Sequence, residues 1–484
     1  FGADPLQQYL VEMPDGRLQA YGAAWDTRPA KAGGQRWFHI YGDDPPRPGE
    51  SIHWTGIDQN WNYMCADCHS TGYRKNYDAG ADRFASEWSD IDVACEACHG
   101  PGAAHAAWAE AGANGPDPGF PADLSQENRR WVSGADSPTV RAEGNVNRQE
   151  VEACGRCHAR RTTLREPYAH GRPLADSFMP AFLTEPLYHP DGQIRDEVYV
   201  YGSFLQSRMY AAGVSCGDCH DPHSLQLRAE GDQVCAQCHQ PAHFEAAGHT
   251  RHQPGPDAPG CGDCHMPAQT YMVVDPRRDH SFRVPRPDLA ASLGVTDACG
   301  TCHSDRPAGW TAAAVRDWLG RDAEGLQAFA ETFRRAGQGW PDAVPGLLAV
   351  IDDDAQPAIV RGTALGMLGG FPGRESFTRV AAGVYDEDPL VRLGAVDGAE
   401  AFPPEARRPL LEPLLTDPVL AVRAEAGRSL AAVNPANVSP AAGNALRQAL
   451  ADYVEIQRFN ADRPEARLNL GNLYADAGDF ATAE

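Results

Sequence analysis

Hydrophobic and polar positions change rhythm twice along the chain. Near the start, Gln7-Gln8-Tyr9-Leu10-Val11-Glu12-Met13 and Leu18-Gln19-Ala20-Tyr21 alternate in part and flank Pro14-Asp15-Gly16-Arg17. Asp-Gly between two such runs predicts a β-hairpin. Trp37-Phe38-His39-Ile40-Tyr41 predicts a further short strand. From Trp61 to about residue 305 no period is sustained, and only short helices are expected among many glycines and prolines. Beyond His303 the composition turns to Ala, Leu, Arg and Asp at helical spacing. There Val360-Arg361-x-x-Ala364, Val391-Arg392-x-x-Ala395 and Val422-Arg423-x-x-Ala426 recur every 31 residues, each after an acidic or proline-containing turn at 352–357, 386–389 and 417–418.

The irregular middle carries the chemistry. It holds seven copies of Cys-x-x-Cys-His: Cys65/Cys68/His69, Cys95/Cys98/His99, Cys154/Cys157/His158, Cys216/Cys219/His220, Cys235/Cys238/His239, Cys261/Cys264/His265 and Cys299/Cys302/His303. All 14 cysteines are used. This is the attachment signature of haem c: two thiols add to the two vinyl groups of one porphyrin, and the adjacent histidine becomes the proximal iron ligand. A zinc site offers no reason for histidine to follow every second cysteine. A disulfide framework would not repeat one spacing seven times. Seven covalently attached haem c groups are therefore expected. The first cysteines are 30, 59, 62, 19, 26 and 38 residues apart, so the fourth to sixth haems should cluster most tightly.

Ten histidines remain for the opposite side of the irons. His223 lies too near His220 to fold over the same iron and should serve another. His105 follows the turn Cys-His-Gly-Pro-Gly-Ala-Ala. His249 and His252 sit three apart, on one face if helical. His280 is preceded by Asp279, and His170 and His189 fall in a long gap with few other candidates. His53, like His39, is balanced between a ligand and an ordinary surface or core histidine. His243 is the expected bystander, and Met209 and Met266 read as core.

Composition narrows the partners. The formal charge is −24, to which haem propionates would add, so nucleic acid and anionic membrane surfaces are poor partners. Lysine is confined to Lys31 and Lys75, against 40 arginines, which argues against lysine as an axial ligand. No transmembrane segment is expected, because no run of 18 apolar residues occurs. No signal peptide is present either. Haem attachment to this motif takes place, in bacteria, outside the cytoplasmic membrane. An exported protein, periplasmic or at the cell surface, whose leader lies outside this sequence is the expectation.

Two helices per 31 residues, with a buried Val/Ala face and an exposed arginine, resemble HEAT-like repeats. An ordinary helical bundle is the alternative. Arg467-Leu468-Asn469-Leu470-Gly471-Asn472-Leu473-Tyr474 followed by Ala477-Gly478-Asp479-Phe480 resembles the first helix and turn of a tetratricopeptide repeat, cut at Glu484, so the chain is expected to continue. The fold class is thus mainly α with little regular structure around the haems. A small β-rich N-terminal part (1–60) should precede the haem domain (61–305), HEAT-like repeats (306–455) and a tetratricopeptide start (456–484).

Further motifs carry a resemblance to multihaem cytochromes of the class grouped with the tetrahaem cytochrome of nitrifying bacteria. A bacterial family that joins such a haem domain to both repeat types is more similar still. The residues are Pro5-Leu6-Gln7-Gln8-Tyr9-Leu10, Trp61-Asn62-Tyr63-Met64, Cys95-Glu96-Ala97-Cys98-His99-Gly100-Pro101-Gly102, Asp191-Gly192-Gln193, Tyr199-Val200-Tyr201-Gly202-Ser203-Phe204, Cys261-Gly262-Asp263-Cys264-His265-Met266-Pro267 and Asp279-His280-Ser281-Phe282-Arg283-Val284-Pro285-Arg286-Pro287. That resemblance implies one more haem motif upstream of Phe1, hence eight haems in the intact protein.

Electron transfer along closely spaced, mostly bis-histidine haems is the leading functional expectation, with redox proteins as partners. A multihaem oxidoreductase acting on a small nitrogen or sulfur species at one open iron is the alternative, with Tyr188, His189 or Arg195 around it. A third class is assembly, through a protein partner on the repeats or polymerisation into an extracellular conducting filament.

Overall fold

The computed structural model describes residues 1–483 except 116, 135–136, 256, 308, 324–325 and 434–438. Its N-terminal strands Leu6–Glu12, Leu18–Asp26 and Arg36–His39 form an antiparallel sheet in sequence order. Gly16 stands at φ +79° in the first turn, a conformation that Asp-Gly supplies at low cost. Register runs Leu10↔Ala20 and Glu12↔Leu18, with an irregularity between Gln8 and Leu10.

The middle of the chain is built of two-stranded ribbons and short helices, among them Cys95–His99, Gln149–His158 and Cys261–His265. Regular packing begins in the C-terminal half. The three recurring Val-Arg-x-x-Ala segments lie in helices Ala358–Met367, Pro389–Ala399 and Leu420–Ser429. Their valines and alanines are buried, at 0–1% exposure. The first two helices approach so closely that a Cβ on Gly394 would collide with the Gly362 carbonyl, which demands glycine there.

The repeat arginines differ from the expectation of a solvent-exposed position. Arg361 pairs with Asp386 (2.6 Å), Arg392 with Asp417 (2.7 Å) and Arg423 with Asp452 (2.6 Å). Arg392 and Arg423 also donate to the Asp386 and Asp417 carbonyls (2.9 and 2.6 Å). Each guanidinium thus fastens its helix to the next repeat, which gives the 31-residue period an electrostatic cause as well as an apolar one.

A single apolar core joins these helices to the middle of the chain. It contains Val151, Phe178, Tyr188, Val198 and Phe204 together with Ile359, Leu365, Val391 and Leu420. Polar anchors cross the same boundary: the Leu420 amide donates to Asp176 (3.0 Å), Asn460 to the Thr163 carbonyl (2.8 Å), and Arg463 to Asp58 (2.8 Å). No helix among the described residues is long and apolar enough to cross a membrane.

The most buried anchor is Lys75 with Asp462 (2.6 Å), each side chain 3% exposed, with the ammonium 4.1 Å from the Phe459 ring centre. Removing one partner of such a pair leaves an uncompensated buried charge. Lys75→Met is expected to destabilise the chain by about 3 to 5 kcal/mol. The double change Lys75→Met with Asp462→Leu should recover most of that loss, as read by denaturant titration of both variants.

Candidate functional site

Each attachment motif closes a helical turn or lies within a short helix. The histidine amide bonds the carbonyl of its first cysteine at His69 (3.0 Å), His239 (2.9 Å) and His303 (3.0 Å). Positions i, i+3 and i+4 then share one face, so both thiols and the imidazole point the same way. At Cys216–Asp218 the turn is 3₁₀, and His220 continues into a short ribbon opposite Leu227. Burial pushes the Cys65 and Cys261 thiols up to about 12, and those of Cys219 and Cys299 up to about 11. Desolvation of these four thiols is the main cause, while Cys95 and Cys302 are exposed.

Four motif histidines face a second histidine. His99 lies 6.2 Å from His223, His220 6.3 Å from His280, His265 6.1 Å from His249, and His303 6.1 Å from His252, measured between ring centres. The ring planes are within 2°, 25°, 14° and 27° of parallel, respectively. Two metal–imidazole bonds of about 2.0 Å, each extended to its ring centre, separate opposed ligands by about 6 Å. The spacing fits two imidazoles on opposite faces of one iron. Among the described residues no three or more His, Cys, Asp or Glu side chains gather as they would around a bare metal ion.

The tautomers fit the same role. His252 Nδ1 lies 2.6 Å from the Thr250 carbonyl, His265 Nδ1 2.8 Å from that of Arg283, and His280 Nδ1 2.9 Å from that of Arg278. A carbonyl only accepts, so Nδ1 carries the proton and Nε2 keeps its lone pair for a metal. His105 has the same arrangement toward the Pro118 carbonyl (2.7 Å).

The other expected ligands stand elsewhere. His105 stacks on Phe120 at 4.1 Å, and Phe120 in turn touches His99. His170 packs edge-on against Tyr168 (4.7 Å), and burial, then Arg156, holds it neutral with its pKa down to about 4. The His53 ring lies beside Trp54 and Thr55. His189 sits in a turn where its amide bonds the Gln193 carbonyl (2.8 Å), and burial lowers its pKa. No second histidine ring faces His69, His158 or His239 in the manner of the four pairs, among the described residues. Tyr188 is only 1% exposed inside the core, and Arg195 pairs with Glu185 (3.0 Å) near His189.

Motifs also touch one another. Cys68 Sγ approaches the Cys157 carbonyl (3.8 Å). Cys154 and Cys216 are neighbours, as are Cys235 and Cys261. Cys219 neighbours Cys235 and Cys238, while Cys264 neighbours Cys302. The residues that fasten motifs together are ones sequence reasoning passed over. Asp67 and Arg156 occupy the unspecified positions inside motifs one and three, where nothing in the pattern marks them. Arg129 pairs with Asp218 of motif four (2.5 Å), and its hairpin bonds motif five through the Val140 amide and the Cys238 carbonyl (3.0 Å).

Repeated Cys-x-x-Cys-His turns joined to opposed imidazoles define a multihaem c-type cytochrome with an electron-transfer role, here combined with a helical repeat. Family models agree. The doubled CXXCH motif matches residues 209–244, cytochrome c554 and c-prime matches 50–100, and HEAT repeats match 344–431. No curated protein matches the chain. The crystal structure of the outer cell wall cytochrome OcwA is similar over 82% of this chain and 85% of that one, at 17% identity and a TM-score of 0.43.

One buried acid lies in the helix of motif three. Glu152 accepts from the Leu174 amide (2.5 Å) and the Tyr201 hydroxyl (3.1 Å), and burial pushes its pKa up to about 7. A raised acid favours the protonated form in the fold, so its stabilising effect is complete at low pH and is lost as pH rises from about 4.5 to 7. Glu152→Gln keeps the shape without the charge. It should flatten the pH dependence of stability between these values and raise stability at pH 8 by about 2 to 3 kcal/mol, as read from denaturant midpoints across pH.

Proposed function

We propose that the seven motifs hold seven haem c groups that relay single electrons between redox partner proteins outside the cytoplasm. Haem iron supplies one-electron exchange between its ferric and ferrous forms. The chain's own part is to orient neutral imidazoles through Nδ1–H bonds to backbone carbonyls and to hold successive motifs in contact. The four histidine ring pairs carry this reading: His99/His223, His220/His280, His265/His249 and His303/His252 are the proposed axial ligand sets.

His53, His105, His170 and His189 are further proposed axial ligands, with no motif assigned to any of them. The acidic surface, at −24 before any propionate, suits partners with basic contact surfaces. Export, an eighth haem upstream, a tetratricopeptide continuation and a protein partner on the helical repeats belong to the same proposal. So does a periplasmic or cell-surface location. Assembly into a filament remains part of it only if electron microscopy of the native material finds fibres rather than discrete particles.

A second reading is favoured by one observation: His69, His158 and His239 face no second histidine ring among the described residues. An iron left with one protein ligand would bind a small nitrogen or sulfur oxyanion or hydroxylamine.

Low-temperature EPR of the oxidised protein separates the readings. Conduction alone predicts only low-spin ferric signals, rhombic for the four near-parallel pairs. Catalysis predicts a high-spin signal that shifts with nitrite, hydroxylamine or sulfite. His223→Ala, His249→Ala, His252→Ala and His280→Ala are each expected to convert one low-spin haem to high spin. If none does so, the proposed ligand sets are wrong.

A further inference from the structure

Motif three meets three other motifs through one helix, Gln149–His158. Arg156, just before its second cysteine, is 6% exposed. One guanidinium nitrogen donates to the Ala97 carbonyl of motif two (2.9 Å), and another to Asp67 of motif one (3.2 Å). Asp67, Ala97 and Arg156 each immediately precede the second cysteine of their motif. Arg161 adds a second guanidinium to Asp67 (2.6 Å) and reaches Cys68 Sγ (3.6 Å). The Tyr168 ring covers Arg156 at 5.3 Å. At the other end of the helix, Glu150 accepts from the Ser215 hydroxyl (2.7 Å) and from the Gly217 amide of motif four.

The geometry points to Arg156 as the positioning residue of an electron junction: it holds the haems of motifs one and two against that of motif three, and its charge draws electrons there. This rests on reading the motifs as haem sites. Thioether bonds tie each porphyrin edge to its cysteines, so a residue that locks motifs through the position beside the second cysteine also locks those edges. Two guanidiniums against one carboxylate leave net positive charge in a buried place. Ferrous haem is one unit less positive than ferric, and a nearby cation therefore favours reduction. Electrons entering at motif one or two would collect at motif three and pass on to motif four, which Glu150 holds against the same helix.

The test uses the full haem-loaded chain and the variants Arg156→Gln, Arg156→Lys and Asp67→Asn. Pyridine haemochrome analysis first counts haems; fewer than seven in the unaltered protein would defeat the haem reading itself, independently of the junction. Redox titration followed by EPR then reads each low-spin signal. Arg156→Gln should lower the most affected midpoint and Asp67→Asn should raise it, each by about tenfold in the ferric/ferrous equilibrium, or about 59 mV for one electron. Arg156→Lys, with Asp67 beside it to hold the ammonium protonated, should keep the midpoint but lose the magnetic coupling between signals, because one ammonium cannot fork to both partners. Opposite signs are not a consequence of loosened structure. Shifts of the same sign, or no shift with full haem content, would overturn the proposal. If Arg156→Gln does not fold, the raised midpoint of Asp67→Asn against the unchanged one of Arg156→Lys decides it.

Discussion

A porphyrin iron has two axial positions on opposite faces, and a Cys-x-x-Cys-His motif can fill only one of them. At four motifs a second imidazole stands at the one spacing that would fill the other. In this fold His265 is met by His249, 16 residues away, but His303 by His252, His220 by His280 and His99 by His223 come from 51, 60 and 124 residues away. Each pair ties together segments that share little else. Between residues 206 and 288, Val274 is the one buried hydrophobic side chain among the described residues. A stretch this long without an apolar core of its own owes its order to such ties and to the flat apolar group they enclose, much as small domains depend on staples.

The helical repeats supply what that stretch lacks. Their core is continuous with residues 151–205, so the segment bearing motif three is anchored in conventional packing while motifs four to seven extend from it. The arginine–aspartate bridges at Arg361, Arg392 and Arg423 keep the repeats in register, and Lys75 with Asp462 closes the chain's end onto motif one's neighbourhood. Rigidity at this point has a functional reason. Electron exchange depends on edge separation, so the motif that contacts the most others gains most from a fixed backbone.

Local signals were legible in the sequence, and long-range ones were not. Cys-x-x-Cys-His, Asp15-Gly16 and the 31-residue repeat all act within a few residues, and the attachment turns, the hairpin and the stacked helices follow from them. That His223, His249, His252 and His280 merited attention was also readable. Which motif each one faces was not, because separations of 16 to 124 residues carry no periodic mark. The repeat arginines were expected in solvent because spacing shows the face a residue takes, not the aspartate that the next repeat brings to it. Asp67 and Arg156 were invisible for a simpler reason: the motif leaves their positions free.

The near-absence of lysine acquires a physical meaning in this setting. The chain carries 40 arginines and two lysines, and its formal charge is −24. Even so, Arg156 and Arg161 place cations inside, next to the motifs. A guanidinium stays protonated when buried, whereas an ammonium readily gives up its proton. Lys75 illustrates the contrast: burial lowers its pKa, and Asp462 is what opposes the loss. A charge meant to bias an electron carrier must not disappear when the site is desolvated. Arginine meets that requirement with no further partner, which is why a buried cation at the meeting point of three motifs is a guanidinium forked between them.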